Sequence, residues 1–165
     1  MPGYRRHLAG ATLFAGAYLA ALAALYGVDA SPAGLSLPEL VVYSVALFGI
    51  CLMFGIWPDV DTNSIGRKVF YSLFIVVDVV LIATRQFEEA AYLGLFALLP
   101  AVSKHRGWTH TKWAMLLVPS PLLIVPGILF PDRMLSGLPF YGAAVVGYFS
   151  HLCIDGKIFS LKRRR

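Results

Sequence analysis

The fold of this chain is decided by the stretch L-V-V-Y-S-V-A-L-F-G-I-C-L-M-F-G-I-W-P-D-V-D, which runs from Leu40 to Asp61. Residues 40–57 carry no charged side chain, and a helix that crosses a bilayer needs about 20 mostly apolar residues. Pro58 and two carboxylates then end the apolar run abruptly. The stretch therefore predicts a transmembrane helix that leads directly into a polar site.

The composition of the whole chain extends this prediction. The chain is 58% hydrophobic and 14% charged, with a mean hydropathy of +0.72, which is too apolar for a soluble domain. We predict an all-α, polytopic helical bundle that forms one transmembrane domain over residues 1–165. Its six expected segments are about Leu8–Val28, Leu40–Trp57, Val69–Thr84, Ala90–Val102, Trp113–Phe130 and Phe140–Ile154. The third, fourth and sixth are short. A re-entrant hairpin of the third and fourth is the structural alternative.

The first apolar segment follows R-R-H and superficially resembles a signal peptide. It is about 20 residues long, however, and a signal-peptide core has only about 7–15. Small residues such as Ala17, Ala20 and Ala24 offer a face for close helix packing. We therefore expect this segment to be a helix of the bundle.

The basic residues predict an orientation. If both termini are cytosolic and all six segments cross, only Arg85 and Arg133 of the 14 basic residues fall on the opposite side, as the positive-inside rule requires. The terminal Lys162–Arg165 then anchors the last helix at an anionic leaflet. We expect a multi-pass protein of the cell inner (cytoplasmic) membrane whose partner is the lipid bilayer, with no nucleic-acid partner. The oligomeric state stays open.

Histidine and aspartate residues gather at the ends of the apolar segments. Under the six-segment arrangement, all four histidines fall on the cytosolic side. The polar elements are His7, P-D-V-D at 58–61, H-R-G-W-T-H at 105–110 and H-L-C-I-D at 151–155. Because charged residues are rare in this chain, their gathering at one membrane face predicts a shared site.

The spacings within these elements suit metal ligation. His151 and Asp155 are four residues apart on a predicted helix, so their side chains leave the same face. Asp59 and Asp61 follow Pro58, where a turning or extended backbone can aim two carboxylates at one ion. Mixed imidazole and carboxylate donors suit zinc first, with manganese or iron as alternatives. The number of candidate ligands leaves room for one or two divalent ions.

Together the four elements resemble those of the YdjM-type family of bacterial and archaeal inner-membrane proteins, which are classed as metal-dependent hydrolases. The resemblance runs from His7 to Asp155, with the elements in the same order. It implies functional roles for His7, Asp59, Asp61, His105, Arg106, His110, His151 and Asp155. Longer relatives continue with a polar, Pro-rich segment where this chain reads G-K-I-F-S-L-K-R-R-R. We therefore expect any substrate contact of that segment to be missing here.

From the residues and the resemblance together, we predict a membrane-bound hydrolase in which a divalent metal activates water at the cytosolic surface. The predicted metal ligands are His7, Asp59, Asp61, His110, His151 and Asp155. His105 is predicted to shuttle a proton and Arg106 to hold a phosphate or an oxyanion. The expected substrate is a phosphoester or a carboxyl ester of a lipid, or else another phosphoester. A scaffold or regulatory protein with a structural metal is the alternative, and a transporter is a third hypothesis.

Simpler interpretations stay open for individual residues. His7 could lie at the membrane interface beside Arg5 and Arg6, and His105 could be a ligand, a base or a loop residue. Asp78 lies within the third segment, where we expect a hydrogen-bonded structural role. Trp57, Trp108 and Trp113 flank the cytosolic helix ends, where we expect interfacial belt residues.

Overall fold

The computed structural model describes residues 4–26, 36–60, 65–102, 108–129 and 136–156, with the side chains of 26, 99–102 and 129 excepted. The described residues form seven α-helices and contain no strand, which confirms the all-α prediction. The helices are α1 Tyr4–Tyr26, α2 Leu37–Ile56, α3 Ile65–Ala83, α4 Phe87–Val102, α5 Lys112–Leu117, α6 Pro121–Leu129 and α7 Leu138–Ile154. Short 3₁₀ turns at Trp57–Asp59 and Trp108–His110 follow α2 and precede α5.

Each predicted apolar segment coincides with helical structure, but the fifth is divided. The expected helix Trp113–Phe130 is broken by a turn at residues 118–120, between α5 and α6. Pro119 and Pro121 explain the break, because neither proline has a backbone N–H to donate to the carbonyl of the preceding turn. Pro121 instead begins α6, a position that suits its fixed φ angle.

Two helices are long and apolar enough to cross a membrane, judged by length and composition. They cover Tyr4–Leu25 and Leu37–Asp59, while the apolar stretches Lys112–Ile128 and Leu138–Ile154 are shorter. Many large apolar side chains on α3 and α4 are exposed, among them Val76, Val80 and Leu95. Exposed apolar side chains of this kind are expected where helices face lipid.

The centre of the bundle is formed by α1, α2 and α7, which pack closely against one another. Helices α3 and α4 form a hairpin, and the Tyr71 hydroxyl donates to the carbonyl oxygen of Ala97 at 3.3 Å. The hairpin reaches the central core through Phe96, whose ring centroid lies 5.7 Å from that of Phe54 and 6.1 Å from that of Trp57. The fold thus has a tight three-helix centre and a more peripheral hairpin.

The structure corrects the prediction for one tryptophan. Trp57 is only 1% exposed and packs in the core rather than in an interfacial belt, because the 3₁₀ turn after α2 directs it inward against Tyr148. Trp108 and Trp113 are exposed, as an interfacial position requires. For Asp78, the Oδ1 atom is buried and has no hydrogen-bond partner in the described part of the chain, so the expected hydrogen-bonded role is not supported at that oxygen.

Candidate metal centre

Five of the predicted site residues meet at one end of the three-helix centre. His7 lies in the first turns of α1, and Asp59 ends the 3₁₀ turn after α2. His110 ends the 3₁₀ turn before α5, while His151 and Asp155 lie in and just after the last turn of α7. The chain therefore brings together side chains separated by as many as 148 positions, in one cluster of three imidazoles and two carboxylates.

The distances within this cluster match those between ligands of one ion. Each Nε2 atom of the three rings lies 3.3–3.7 Å from an oxygen of both carboxylates. These separations are longer than a good N–H···O hydrogen bond. Two ligands bound tetrahedrally to one ion at about 2.0–2.1 Å are about 3.4 Å apart. The cluster thus has the dimensions of a coordination shell.

The cluster contains two overlapping triads. Within each triad, the ligand atoms all lie within 4.8 Å of one another. One contains His7, His151 and Asp155, and the other contains Asp59, His110 and His151. The His7 and His151 rings stack at 4.0 Å between centroids, and the Nε2 atoms of both rings face the two carboxylates. Because His151 belongs to both triads, it lies at the centre of the cluster.

The backbone sets the tautomer of His151. Its Nδ1 lies 2.9 Å from the carbonyl oxygen of Gly55, which can only accept, so Nδ1 carries the proton and donates it. In the neutral ring, Nε2 is then unprotonated and offers its lone pair. This nitrogen is buried without a hydrogen-bond partner. A histidine bound to metal commonly donates its other N–H in this way. This orphaned nitrogen is the strongest single indication that the residues fit a metal.

The other two rings have different support. The Nδ1 of His110 lies 3.2 Å from the Thr109 hydroxyl oxygen, which can accept a hydrogen bond from a protonated Nδ1 while Nε2 faces the carboxylates. The Nδ1 of His7 is buried and has no hydrogen-bond partner in the described residues. His7 is therefore held by packing and by its stack on His151 rather than by a hydrogen bond at Nδ1.

The cluster has a closed side and an open side. The side chains of His7, His110 and His151 are 2%, 4% and 0% exposed, whereas those of Asp59 and Asp155 are 35% and 18% exposed. The three rings thus form the buried side of the cluster, and the two carboxylates lie on its solvent-exposed side. Two carboxylates facing the same rings also concentrate negative charge that a divalent cation would balance.

Each central helix reaches the cluster through a column of residues at four-residue intervals. Residues at i and i+4 share one face of a helix. The columns are His7, Ala11 and Ala15 on α1; Leu47, Cys51, Gly55 and then Asp59 along α2; and Ala143, Gly147, His151 and then Asp155 along α7. The cluster is therefore the polar end of a seam that is otherwise apolar and rich in small residues.

Close backbone contact in this seam sets the positions of the ligands. A Cβ added at Gly147 would overlap the carbonyl oxygen of Cys51, and one added at Gly55 would overlap the Cβ of Ala11. Each glycine lies four residues before a candidate ligand, His151 or Asp59. Small residues let helix backbones approach closely, and here that approach puts the Gly55 carbonyl within reach of His151.

Three predicted residues, Asp61, His105 and Arg106, lie outside the described residues. Their predicted roles, and the metal-binding role of the five clustered residues, stay predictions. Sequence reasoning did not identify the supporting residues Gly55, Thr109 and Tyr148. The four-residue steps back from Asp59 and His151 could have indicated the glycines, but no sequence signal marks the partners across the fold.

Comparison with known proteins agrees with this architecture. The model of the family described as "YdjM inner membrane protein" matches residues 4–157, a range that includes every member of the cluster. No curated protein and no solved structure matches the chain. Since the match covers nearly all of the sequence, this chain belongs to the YdjM family of inner membrane proteins.

Proposed function

We propose that the protein is a membrane-bound, metal-dependent hydrolase that acts at the cytosolic surface of the inner membrane. The observation that carries the proposal is the convergence of three imidazole Nε2 atoms on two carboxylates at 3.3–3.7 Å. Nitrogen and oxygen donors of this kind bind zinc, manganese or iron. A bound ion would supply Lewis acidity and would lower the pKa of a coordinated water towards about 7.

The chain's own residues would divide the remaining work. His7, His110 and His151 would hold the ion from the buried side and exclude water there. Asp59 and Asp155 would complete the binding and border the open side, where a substrate can approach. Asp61 is proposed as a further ligand, so that one or two ions could bind. His105 is proposed to move a proton and Arg106 to hold an anionic group.

The proposed arrangement in the membrane suggests a class of substrate. Six crossings with both termini cytosolic, in a single domain over residues 1–165, would place the cluster at the level of lipid head groups. The exposed rings of Trp108 and Trp113 suit that level, since tryptophan is enriched at membrane interfaces. A lipid or another amphiphilic phosphoester is therefore the proposed substrate.

The first test is the metal content of the purified protein. Wild-type protein in detergent is expected to hold at least one divalent ion per chain, measured by inductively coupled plasma mass spectrometry. Asp59→Ala should lose most of that metal because an Asp59 carboxylate oxygen lies 3.3–3.7 Å from the Nε2 atom of each of the three rings. Asp78→Asn is the matched control, since it removes a helix carboxylate that lies outside the cluster. A metal-free wild type, or an Asp59→Ala protein that keeps its metal, would refute the site.

The second test separates the enzyme from its alternatives. Metal-loaded protein is expected to hydrolyse at least one member of a panel of phosphatase, esterase and phospholipase substrates, and Asp59→Ala is expected to be inactive. A wild type that binds metal but turns over none of these substrates under Zn, Mn or Fe would favour the scaffold.

One observation supports the scaffold or regulatory alternative. The five ligands come from α1, α7 and the two 3₁₀ turns, so a structural ion would tie four separate parts of the fold together. A transporter receives less support. Within the described helices, Asp78 is the charged residue that lies well away from a helix end, and a transport path needs polar groups through the membrane depth.

A further inference from the structure

Beyond the ligands, one buried side chain lies on one of the four segments that carry them and contacts two of the others. Tyr148 lies on α7, three residues before His151, and is 0% exposed. Its ring packs against Trp57 at 5.7 Å between centroids, in the turn that carries Asp59. Its hydroxyl donates a hydrogen bond to the carbonyl oxygen of Thr109, directly before His110.

We propose that Tyr148 is a positioning residue of the metal centre, and that its hydroxyl holds the Trp108–His110 turn in place so that His110 faces Asp59 and Asp155. This inference rests on the proposed metal site but assigns a residue that is itself no ligand. The bond joins positions 39 residues apart, and within the described residues it is a direct polar link between α7 and this turn.

The short turn needs such a link. Trp108–His110 has only three residues of 3₁₀ helix and its last ring must reach the carboxylates with its Nε2 atom. The Thr109 side chain, 1% exposed, already orients the His110 ring through the contact between its hydroxyl and Nδ1. Tyr148 then holds the backbone carbonyl of the same residue. The Thr109 side chain thus orients the His110 ring, and the Thr109 carbonyl fixes the position of the turn.

The aromatic residues around Tyr148 hold its side chain, and therefore its hydroxyl, in one position. The indole of Trp57 contacts Trp108 at 6.1 Å and Phe96 at 6.1 Å between centroids, in addition to Tyr148. Close packing of this kind leaves a buried side chain few alternative rotamers. A buried tyrosine hydroxyl also needs a partner, so the Thr109 carbonyl and the Tyr148 hydroxyl satisfy each other.

The test is Tyr148→Phe, which removes the hydroxyl and keeps the ring. Loss of a group that supports a metal ligand costs about 10- to 100-fold in metal affinity, and we expect a loss in this range in a competition titration. The visible spectrum of the Co²⁺-loaded protein should also change, because its bands report the ligand geometry. The metal-free protein should stay folded, with a melting temperature lowered only by the loss of one buried hydrogen bond.

Tyr141→Phe is the matched control. The Tyr141 hydroxyl donates to the carbonyl oxygen of Leu116 at 3.2 Å, so it also joins α7 to α5, but away from the cluster. It should change neither metal affinity nor the Co²⁺ spectrum. Thr109→Val is the second variant, since it removes the contact with the His110 Nδ1 and should weaken metal binding in the same direction.

The outcomes separate this proposal from the metal site itself. A wild type without metal would remove both. A metal-binding wild type with an unchanged affinity and Co²⁺ spectrum in Tyr148→Phe would overturn only the positioning role. A Tyr148→Phe protein that unfolds without metal would also overturn it, because the hydroxyl would then be a general structural element.

Discussion

His151→Asn is expected to abolish stoichiometric metal binding while leaving the metal-free fold intact. The asparagine amide can still donate to the Gly55 carbonyl oxygen, as Nδ1 of the histidine does at 2.9 Å, but no atom replaces the ligand Nε2. Loss of a supporting partner alone costs about 10- to 100-fold in metal affinity. Loss of the central ligand should therefore cost more than about 100-fold in a competition titration with zinc.

Thermal unfolding gives an independent check of the same variant. A ligand that binds only the folded state raises stability as its concentration exceeds Kd, so added zinc should raise the melting temperature of the wild type and not that of His151→Asn. Without metal, the two proteins should melt at similar temperatures. If His151→Asn keeps the zinc-dependent increase, His151 is not a ligand and the cluster is only a polar network.

The convergence of the cluster could be predicted from the sequence for a physical reason. Charged and imidazole groups are costly inside a bilayer, so their positions in a very apolar chain are informative. His7, Asp59, His110, His151 and Asp155 fall at segment ends that the expected topology places on one face, and the structure does bring them together. The helices followed similarly from uninterrupted apolar runs of helical length.

Contacts across the fold could not be predicted in this way. Tyr148 and Trp57 look like other aromatic residues in apolar segments, and only their packing shows that they support the turns beside the ligands. The break between α5 and α6 was missed although Pro119 and Pro121 mark it, because hydrophobicity alone joined the two helices. Hydropathy measures the cost of burial in lipid and carries no information on which side chains meet.

Gly147→Ala is expected to destabilise the bundle strongly, because its added Cβ would lie closer to a neighbouring atom than one added at Gly10, Gly55, Gly137 or Gly142. The new Cβ would overlap the Cys51 carbonyl oxygen and lie 3.0 Å from the Cys51 Cα, and a backbone cannot rotate away as a side chain can. Overpacking of a well-packed core costs about 1–3 kcal/mol, and we expect the upper part of that range. The measurement is the free energy of unfolding in detergent.

Metal affinity should fall together with stability in Gly147→Ala, because α7 must move away from α2. His151 and Asp155 follow Gly147 on α7, while Asp59 follows α2. Ligand distances in a metal site tolerate only about 0.2 Å, so even a partial separation would spoil the geometry of the shell.

Gly49→Ala on α2 is the matched control, since no atom lies within 4 Å of its added Cβ. Alanine is the better helix former by about 0.5–1 kcal/mol, so this variant should be neutral or slightly stabilised, with wild-type metal affinity. Equal behaviour of the two variants would show that the glycine seam does not set the ligand positions. A loss confined to Gly147→Ala would instead mean that the metal geometry is built by backbone contact deep in the bundle, four residues before the ligand that it places.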